Sequence, residues 1–297
     1  MDNPPVAIFG ATGFIGRHLA ARLAAEGIPV TGISRSRSIL SEDVAEWQTP
    51  GALNLANHRA VVNLAGEPVD CLWTAEKMRA IEDSRAGGTR RLVDHFRELT
   101  PAERPGVLVN ASGVGFYGDG ADALLDETAP AGTDYLARVC IDWEAAAREA
   151  ESLDVRVVLL RTGVVLGKGG AAYEKLRKLF NLGLGGKLGS GRQWMPWIHV
   201  DDEVAAILHA IRSPVVSGPV NLVAPRPERN ADFTRKFAAA LHRPAFLSVP
   251  GFALKFALGG FGEAMLGGQR AVPAALEHSG FQFRHPDLEG ALADLIA

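Results

Sequence analysis

The N-terminal residues pair a short apolar run with a helical repeat of apolar positions. Residues 6–9 are apolar throughout, which favours a buried parallel strand. Ile15, Leu19 and Leu23 then recur at helical spacing. Glycines at positions 10, 13 and 16 fall between the two segments. The pattern predicts a strand, a glycine-rich turn and a helix that ends near Gly27.

The same alternation continues to Thr162. Apolar runs typical of buried strands are followed by segments with helical periodicity. The predicted strands cover 30–34, 59–66, 107–110 and 156–160, and the predicted helices 74–99 and 136–152. This order predicts an α/β fold, a Rossmann-type doubly wound parallel sheet. Ligands bind such sheets beyond the carboxyl ends of the strands, where the strand order reverses.

The regular alternation breaks after Thr162. A glycine-rich stretch, 163–191, contains one helical segment, and the aromatic run 194–202 follows it. A helix is predicted from Glu203, with Asp202 as its N-cap. We predict an NADP-binding Rossmann domain over 1–162, to which 197–223 returns, and a smaller substrate-side lobe over 163–196 and 224–297.

The glycine turn carries the first functional signal. A strand-to-helix turn places unpaired backbone amides and the positive end of a helix together, and both stabilise a pyrophosphate. An ordinary glycine-rich turn is the alternative, because the glycine spacing alone is weakly specific. The residues predicted to line the phosphates are Gly10, Thr12, Gly13, Phe14, Ile15 and Gly16.

The second strand indicates which dinucleotide binds. NAD-binding proteins usually end this strand with an acid that holds the ribose hydroxyls. This chain instead continues as Ser34-Arg35-Ser36-Arg37, and guanidinium groups beside hydroxyls suit a 2′-phosphate. The predicted cofactor is NADP(H), with Arg35 as its main cationic contact. The alternative is that these arginines merely solvate a loop.

Composition excludes several other classes of function. The formal net charge of -3 gives no broad basic surface for nucleic acid. Cys71 and Cys140 lie far apart, which indicates neither a disulfide framework nor a metal-binding cluster and fits a reducing compartment. No apolar stretch reaches membrane-spanning length, and the N-terminus lacks a secretion signal. We expect a cytoplasmic protein that acts on a small molecule, with 246–261 as a homodimer contact.

Several short motifs together carry a family resemblance. They are the glycine turn 10–16, Asn63-Leu64-Ala65-Gly66, and the segments 111–118, 140–144, 161–167, 189–193 and 197–202. In this combination the chain resembles an atypical extended short-chain dehydrogenase/reductase of the "epimerase family", often labelled nucleoside-diphosphate-sugar epimerase or cell-division-inhibitor-like. The similarity spans essentially the whole chain.

The resemblance implies NADP(H) bound across the reversal in strand order. Its 2′-phosphate would lie near Ser34, Arg35 and Ser36, and its adenosine side near the turn formed by Asn63, Leu64, Ala65 and Gly66. Arg85 would add a second cationic contact. Ala111 would lie at a cofactor-facing strand end, and Val165 would line the nicotinamide end.

The catalytic residues depart from the superfamily pattern. Ordinary members use a Tyr with a Lys four residues later, and a Ser that positions the substrate carbonyl. Ser112 fits the last role, but the alignment places Leu136 and Cys140 at the Tyr and Lys positions. Tyr117 is the predicted surrogate acid, and a phenol that only shapes the pocket is the alternative. The glycine-rich stretch and the aromatic run predict Arg192, Gln193, Trp197 and His199 on the substrate side, with a structural hydrogen-bonding role as the alternative for His199.

Two functions therefore stay open from the sequence. The first is an NADP(H)-dependent oxidoreductase or epimerase-like enzyme for a small carbonyl or hydroxyl compound, with a sugar nucleotide as one candidate. The second is a catalytically degenerate NADP(H)-binding regulator or redox sensor. The polar loop and aromatic run favour the enzyme, whereas the missing Tyr-Lys pair favours the regulator.

Overall fold

The computed structural model describes residues 3–35 and 41–297. Several of its strands are only two or three residues long. The strands are β1 Val6–Phe9, β2 Val30–Ile33, β3 Glu46–Gln48, β4 Ala60–Asn63, β5 Val107–Gly113, β6 Leu124–Leu125, β7 Arg156–Thr162, β8 Val164–Leu166, β9 Gly186–Leu188, β10 Trp194–Met195, β11 Trp197–His199, β12 Gly218–Leu222, β13 Glu228–Arg229, β14 Leu247–Val249 and β15 Arg270–Ala271. The helices are α1 Phe14–Ala25, α2 Ala75–Glu82, α3 Gly88–Glu98, α4 Tyr135–Arg148, α5 Ala171–Asn181, α6 Val200–Arg212, α7 Asn230–Ala240, α8 Gly251–Ala264, α9 Ala274–His278 and α10 Leu288–Ile296.

A seven-stranded sheet forms the centre of the molecule. Its strand order is β12-β7-β5-β4-β1-β2-β3, and every neighbouring pair is parallel. Strands β1, β2 and β4 are buried along their whole length, as strands covered by helices on both faces must be. The Rossmann-type α/β fold predicted from the sequence is confirmed.

Two apolar layers cover the sheet. Helices α1 and α6 pack together on one face, around side chains such as Leu19 and Ile207. Helices α3 and α4 cover the other face, where Phe96 and Ala147 are fully buried. The short strand β3, at the edge of the sheet, was not predicted because its polar sequence Glu46-Trp47-Gln48 shows no apolar run.

The single helix predicted over 74–99 is divided. Thr74 caps α2 by accepting a hydrogen bond from the Lys77 amide. A π-helical segment, Asp83–Gly87, then joins α2 to α3. A π-helical segment inside an α-helix is rare and often found at functional sites. Apolar periodicity does not reveal it.

A smaller lobe is built from the later part of the chain. Helices α5, α7 and α10 enclose a core that includes Tyr173, Phe233, Phe237 and Leu292. Strand β11 pairs with β8 outside the central sheet. Trp197 packs in the core of this lobe, whereas Ile198 packs in the core of the central sheet. Helix α6 and strand β12 do return to the Rossmann layers. The division into two domains stays a prediction.

Candidate functional site

The glycine turn has the backbone geometry of a phosphate cradle. Gly10 has a φ of 81°, and its carbonyl accepts a 2.9 Å hydrogen bond from the Gly13 amide. A Cβ on Gly16 would lie 2.2 Å from the Gly10 oxygen, so only glycine fits there. No side chain caps α1, which leaves the amides of its first turn available to a ligand. These features fit a pyrophosphate, with Thr12 and Ile15 half-buried beside it.

Phe14 connects this turn to a second loop. Cβ atoms built on Gly167 and Gly170 would lie 2.6 and 2.7 Å from its ring, so the ring packs directly on the backbone after β8. That contact holds the β8–α5 loop close to the first turn of α1. Val165 is half-buried on β8, two residues before Gly167, and its place at the nicotinamide end stays a prediction.

The end of β2 presents the predicted 2′-phosphate contacts. The Ser34 amide donates to the Gln48 carbonyl at 3.1 Å, and Arg35 is exposed. Arg35 acts electrostatically on the nearby Glu67 carboxyl, whose pKa is lowered mainly by its hydrogen bond from Lys77 and further by Arg35 and Arg85. Arg35, Lys77 and Arg85 therefore all lie close to Glu67. Ser36 lies outside the described residues.

The turn after β4 borders the same cradle. The Leu64 carbonyl carbon lies 3.2 Å from the position that a Cβ would take on Gly10. The buried Asn63 amide donates to Asn110 at 2.7 Å and to Thr89 at 3.0 Å. Asn63 was predicted to contact the cofactor, but its side chain is buried and bonds to Thr89 and Asn110 in the interior. In this turn Leu64 and Ala65 are half-buried and Gly66 is exposed.

Arg85 lies in the π-helical segment and reaches this turn. Its Nη1 donates to the Glu67 carbonyl at 2.9 Å, and its guanidinium lies 5.0 Å from the Trp143 ring centre. A Cβ on Gly66 would lie 3.2 Å from the guanidinium carbon. Burial lowers the pKa of Arg85. A half-buried cation held by carbonyl groups at a strand end is suited to an anionic ligand.

Ser112 belongs to a buried polar network that the sequence did not predict. Ser112 on β5 stands in register with Arg161 on β7. The Ser112 hydroxyl donates to Glu144 Oε1 at 2.8 Å, and Arg161 donates to both Glu144 oxygens at 2.8 and 2.9 Å. The available signal was Arg161 itself, because a charged residue inside a buried strand needs a charged partner.

Tyr117 is not a free acid at the site. Its side chain is 4% exposed, its hydroxyl donates to Asn221 Oδ1 at 2.7 Å, and Arg161 donates to it at 3.0 Å. Burial raises the pKa of Tyr117. The prediction of a surrogate acid is therefore corrected: this phenol is a buried part of the Arg161 network, which is the pocket-shaping alternative.

The positions of the missing Tyr-Lys pair face the end of β5. Leu136 packs against Gly115, and the buried Cys140 thiol donates to the Gly113 carbonyl at 3.7 Å. Burial raises the pKa of Cys140 to about 11. Neither residue supplies the cation that would activate a phenol. Tyr135 instead donates to the Met78 carbonyl at 3.1 Å, and burial raises its pKa to about 12.

The four residues predicted on the substrate side have other surroundings. Gln193 donates to the Leu188 carbonyl at 3.0 Å, and Arg192 is exposed. Trp197 is 1% exposed and belongs to the apolar core of the small lobe. His199 is 2% exposed. Trp197 and His199 are thus corrected to interior residues. A run of aromatic residues is compatible with a buried strand as well as with a pocket wall, so the sequence alone did not distinguish the two.

His199 takes the capping role predicted for Asp202. Helix α6 begins at Val200, and His199 Nδ1 accepts from the Asp201 amide at 3.1 Å. The Asp202 carboxylate accepts instead from the amides of Arg284 and His285, both at 2.8 Å. Asp202 therefore fastens the C-terminal segment to α6 rather than capping the helix.

A histidine pair lies beside this cap. The rings of His199 and His285 are 3.9 Å apart, and burial together with His285 lowers the pKa of His199 to about 4. His199, Asp201 and His285 bring potential metal-ligand atoms within 4.8 Å of one another. Because His199 Nδ1 accepts a hydrogen bond, the proton of its neutral ring is on Nε2, which then offers no lone pair to a metal.

Glu203 is a buried acid at the end of β7. It is 0% exposed, and its Oε1 accepts from the Thr162 hydroxyl at 3.1 Å. Its Oε2 has no hydrogen-bond partner among the residues that the structure describes. Burial raises the pKa of Glu203 to about 8. Local sequence around Glu203 does not indicate a carboxyl group with a raised pKa.

Comparisons with known proteins agree with this architecture. Residues 6–223 match the NAD dependent epimerase/dehydratase family, and residues 249–295 match a domain of unknown function, DUF1731. An epimerase family protein of Mycobacterium tuberculosis is 43% identical over 98% of this chain and 97% of its own length. A chloroplastic epimerase family protein of Arabidopsis thaliana is 40% identical over 98% and 86%.

A solved structure extends the comparison to the cofactor. Human epimerase family protein SDR39U1, crystallised with NADPH, is 34% identical and superposes with a TM-score of 0.90 over 98% of this chain and 99% of its own.

No helix among the described residues has the length and apolarity needed to cross a membrane. The two family matches, the curated relatives and the fold together identify the chain as a member of the NAD dependent epimerase/dehydratase family.

Proposed function

We propose that this protein is an NADP(H)-dependent oxidoreductase or epimerase-like enzyme for a small carbonyl or hydroxyl compound. A sugar nucleotide is the substrate class suggested by the family. The observation that carries the proposal is the glycine cradle at the uncapped start of α1, beside the cations at the ends of β2 and β4. The NADPH-bound human relative supports the choice of cofactor.

The residues have distinct proposed roles at the cofactor. Backbone amides from Gly13 to Gly16 hold the pyrophosphate, and Arg35 meets the 2′-phosphate with Arg85 as a second cation. Leu64 and Ala65 border the adenosine, while Ala111 and Val165 face the nicotinamide half. When bound, the nicotinamide supplies or accepts the hydride. Ser112, half-buried at the end of β5, is the residue proposed to contact the substrate oxygen.

Cofactor preference is tested by titrating NADPH and NADH into the protein and following nicotinamide fluorescence. Arg35→Ala should weaken NADPH binding by about tenfold or more and leave NADH nearly unchanged, because only NADPH carries the charge that Arg35 meets. Equal weakening of both cofactors would refute the assignment. Arg17→Ala, an exposed change on α1, is the matched control.

Turnover is tested with a panel of carbonyl compounds and sugar nucleotides, followed by nicotinamide absorbance. Activity that disappears in Ser112→Ala, with NADPH binding unchanged, would support the enzyme. Tight NADPH binding without turnover across the panel would favour the second candidate, a regulator that senses the cofactor. The observation that favours this candidate is the pair Leu136 and Cys140 at the Tyr and Lys positions.

The partner and location predictions are part of the same proposal. A homodimer through 246–261 is supported by the exposure of Phe252 (77%) and Phe256 (93%) on α8. Sedimentation velocity of the wild type and of a Phe252→Ser, Phe256→Ser double variant tests it. A cytoplasmic location is supported only by the separated cysteines, and fractionation of cells tests it.

A further inference from the structure

The Ser112 hydroxyl proton already has an acceptor inside the protein. Oγ lies 2.8 Å from Oε1 of Glu144, with the serine as donor. Glu144 forms an ion pair with Arg161, and an ionised carboxylate can only accept hydrogen bonds. The proton between the two oxygens must therefore belong to Ser112.

Arg161 holds the Glu144 carboxylate in the orientation that accepts the Ser112 hydroxyl hydrogen bond. Two parallel N–H donors hold the carboxylate, and the side chains of Arg161 and Glu144 are 4% and 5% exposed. Arg161 is held in turn by the Tyr117 hydroxyl and the Glu127 carbonyl. A charged group fixed on several sides in the interior has a single arrangement, since leaving it unpaired is costly. The orientation of the acceptor is thus set by the fold.

The other neighbour of Ser112, Cys140, is the weaker acceptor for its proton, although a hydrogen bond from Ser112 opposes the effect of burial on the pKa of the Cys140 thiol. Cys140 directs its own S–H to the Gly113 carbonyl and is a weak acceptor. Ser112 is only half-buried, so the open side of Oγ carries lone pairs rather than a proton. In the ordinary superfamily arrangement, the serine hydroxyl positions a substrate carbonyl, which requires the opposite polarity.

We propose that Ser112 is a hydrogen-bond acceptor for the ligand and that Glu144 is the positioning residue that sets this polarity. The site then recognises a group that donates, and within the proposed function, on which this inference rests, that group is the hydroxyl of the substrate. The hydroxyl form of a substrate pair binds more tightly than its carbonyl form. A carbonyl oxygen facing Ser112 would meet lone pairs without a donor from this residue.

Neutron diffraction of deuterium-exchanged crystals of the full chain tests the polarity directly. We expect the Ser112 deuterium on the line from Oγ to Glu144 Oε1. A deuterium that points into the open side or toward Cys140 overturns the proposal. This measurement does not depend on turnover, so it decides the polarity even if no substrate is found and the proposed function fails.

The double variant Glu144→Leu, Arg161→Met provides the kinetic test, because it removes the acceptor of the Ser112 proton together with the arginine that would otherwise be left buried and unpaired. On matched alcohol and ketone pairs, beginning with cyclohexanol and cyclohexanone, KM for the alcohol should rise about tenfold while KM for the ketone does not rise. Parallel changes in both KM values, or none, contradict the proposal. Asp142→Asn, an exposed change on α4, is the matched control, and NADPH affinity shows that the variant is folded.

Discussion

Glu144 and Arg161 form a bidentate ion pair across the interface between α4 and β7. The Arg161 Nε and Nη2 atoms lie 2.8 and 2.9 Å from the two carboxylate oxygens, and both side chains are almost completely buried. Helix α4 also carries Leu136 and Cys140, which occupy the Tyr and Lys positions. Arg161 on β7 stands in register with Ser112 on β5, so the ion pair connects these two parts of the site. A residue that could be read as helix packing therefore organises the candidate site.

Arg161→Met should destabilise the protein by about 3–5 kcal/mol, because it leaves the Glu144 charge buried without a partner. Urea unfolding measured at neutral pH checks this value. The double variant Arg161→Met, Glu144→Leu should recover much of the loss, since it removes both charges. If the double variant is no more stable than the single one, the loss comes from packing rather than from the unpaired charge.

Glu203→Gln should flatten part of the pH dependence of stability. Because burial raises the pKa of Glu203 to about 8, the folded state binds a proton that the unfolded state loses near pH 4.5. Its contribution to stability is complete below pH 4.5 and is lost as the pH rises to 8. The variant cannot titrate, so at pH 8 it should be more stable than the wild type by a few kcal/mol.

Chemical unfolding from pH 5 to 9 measures the effect of Glu203→Gln. Glu277→Gln, an exposed change on α9, is the matched control and should follow the wild type. Parallel curves for Glu203→Gln and the wild type would show that Glu203 is ionised in the folded protein at neutral pH.

His199 should give the opposite pH dependence. Burial and the neighbouring His285 lower the pKa of His199 to about 4, whereas the unfolded residue titrates near 6.5. Its contribution is therefore present above pH 6.5 and is lost as the pH falls toward 4. Asp201, Asp294 and Arg284 also face this ring, and the two acids reduce the shift.

His199→Asn separates the charge from the helix cap, because asparagine is also a good N-cap. The variant should lose less stability than the wild type between pH 6.5 and 4, by about 3 kcal/mol at most. Thermal unfolding at pH 4.5, 5.5 and 7 measures the difference. His242→Asn, an exposed residue with a φ of 54°, is the control. The same acid loss in His199→Asn and the wild type would assign the effect to another group.

Elements made from neighbouring residues could be predicted from the sequence. The strand, the glycine turn and helix α1 follow from local spacing. The parallel sheet follows as well, because strands such as β1, β4 and β7 contain a continuous apolar run. Strand β3 was missed because three mostly polar residues at a sheet edge show no period. The π-helical segment around Arg85 changes the hydrogen bonds of a helix but not the identity of its apolar residues.

The candidate site depends on register, which local spacing does not contain. Ser112, Arg161 and Asn221 lie side by side on three adjacent strands although they are separated by 49 and 60 positions in the chain. This row explains why Tyr117 bonds to Asn221 instead of facing a ligand. The backbone cradle could be predicted because it lies within one turn, whereas the buried network requires the strand order and the register together.

Gly16→Ala tests whether the cradle binds the cofactor. The added Cβ would lie 2.2 Å from the Gly10 oxygen and 2.9 Å from the Ala11 Cα, and both are backbone atoms that cannot move aside as a side chain can. The turn must open or α1 must shift, and either change misplaces the amides that face the phosphates. We expect NADPH affinity to fall by about a hundredfold or more, measured by fluorescence titration. Gly51→Ala, where a Cβ meets no atom within 4 Å, should bind like the wild type. A folded Gly16→Ala protein with wild-type affinity for NADPH would place the dinucleotide elsewhere, because this turn cannot take up the methyl group without moving the amides that face the phosphates.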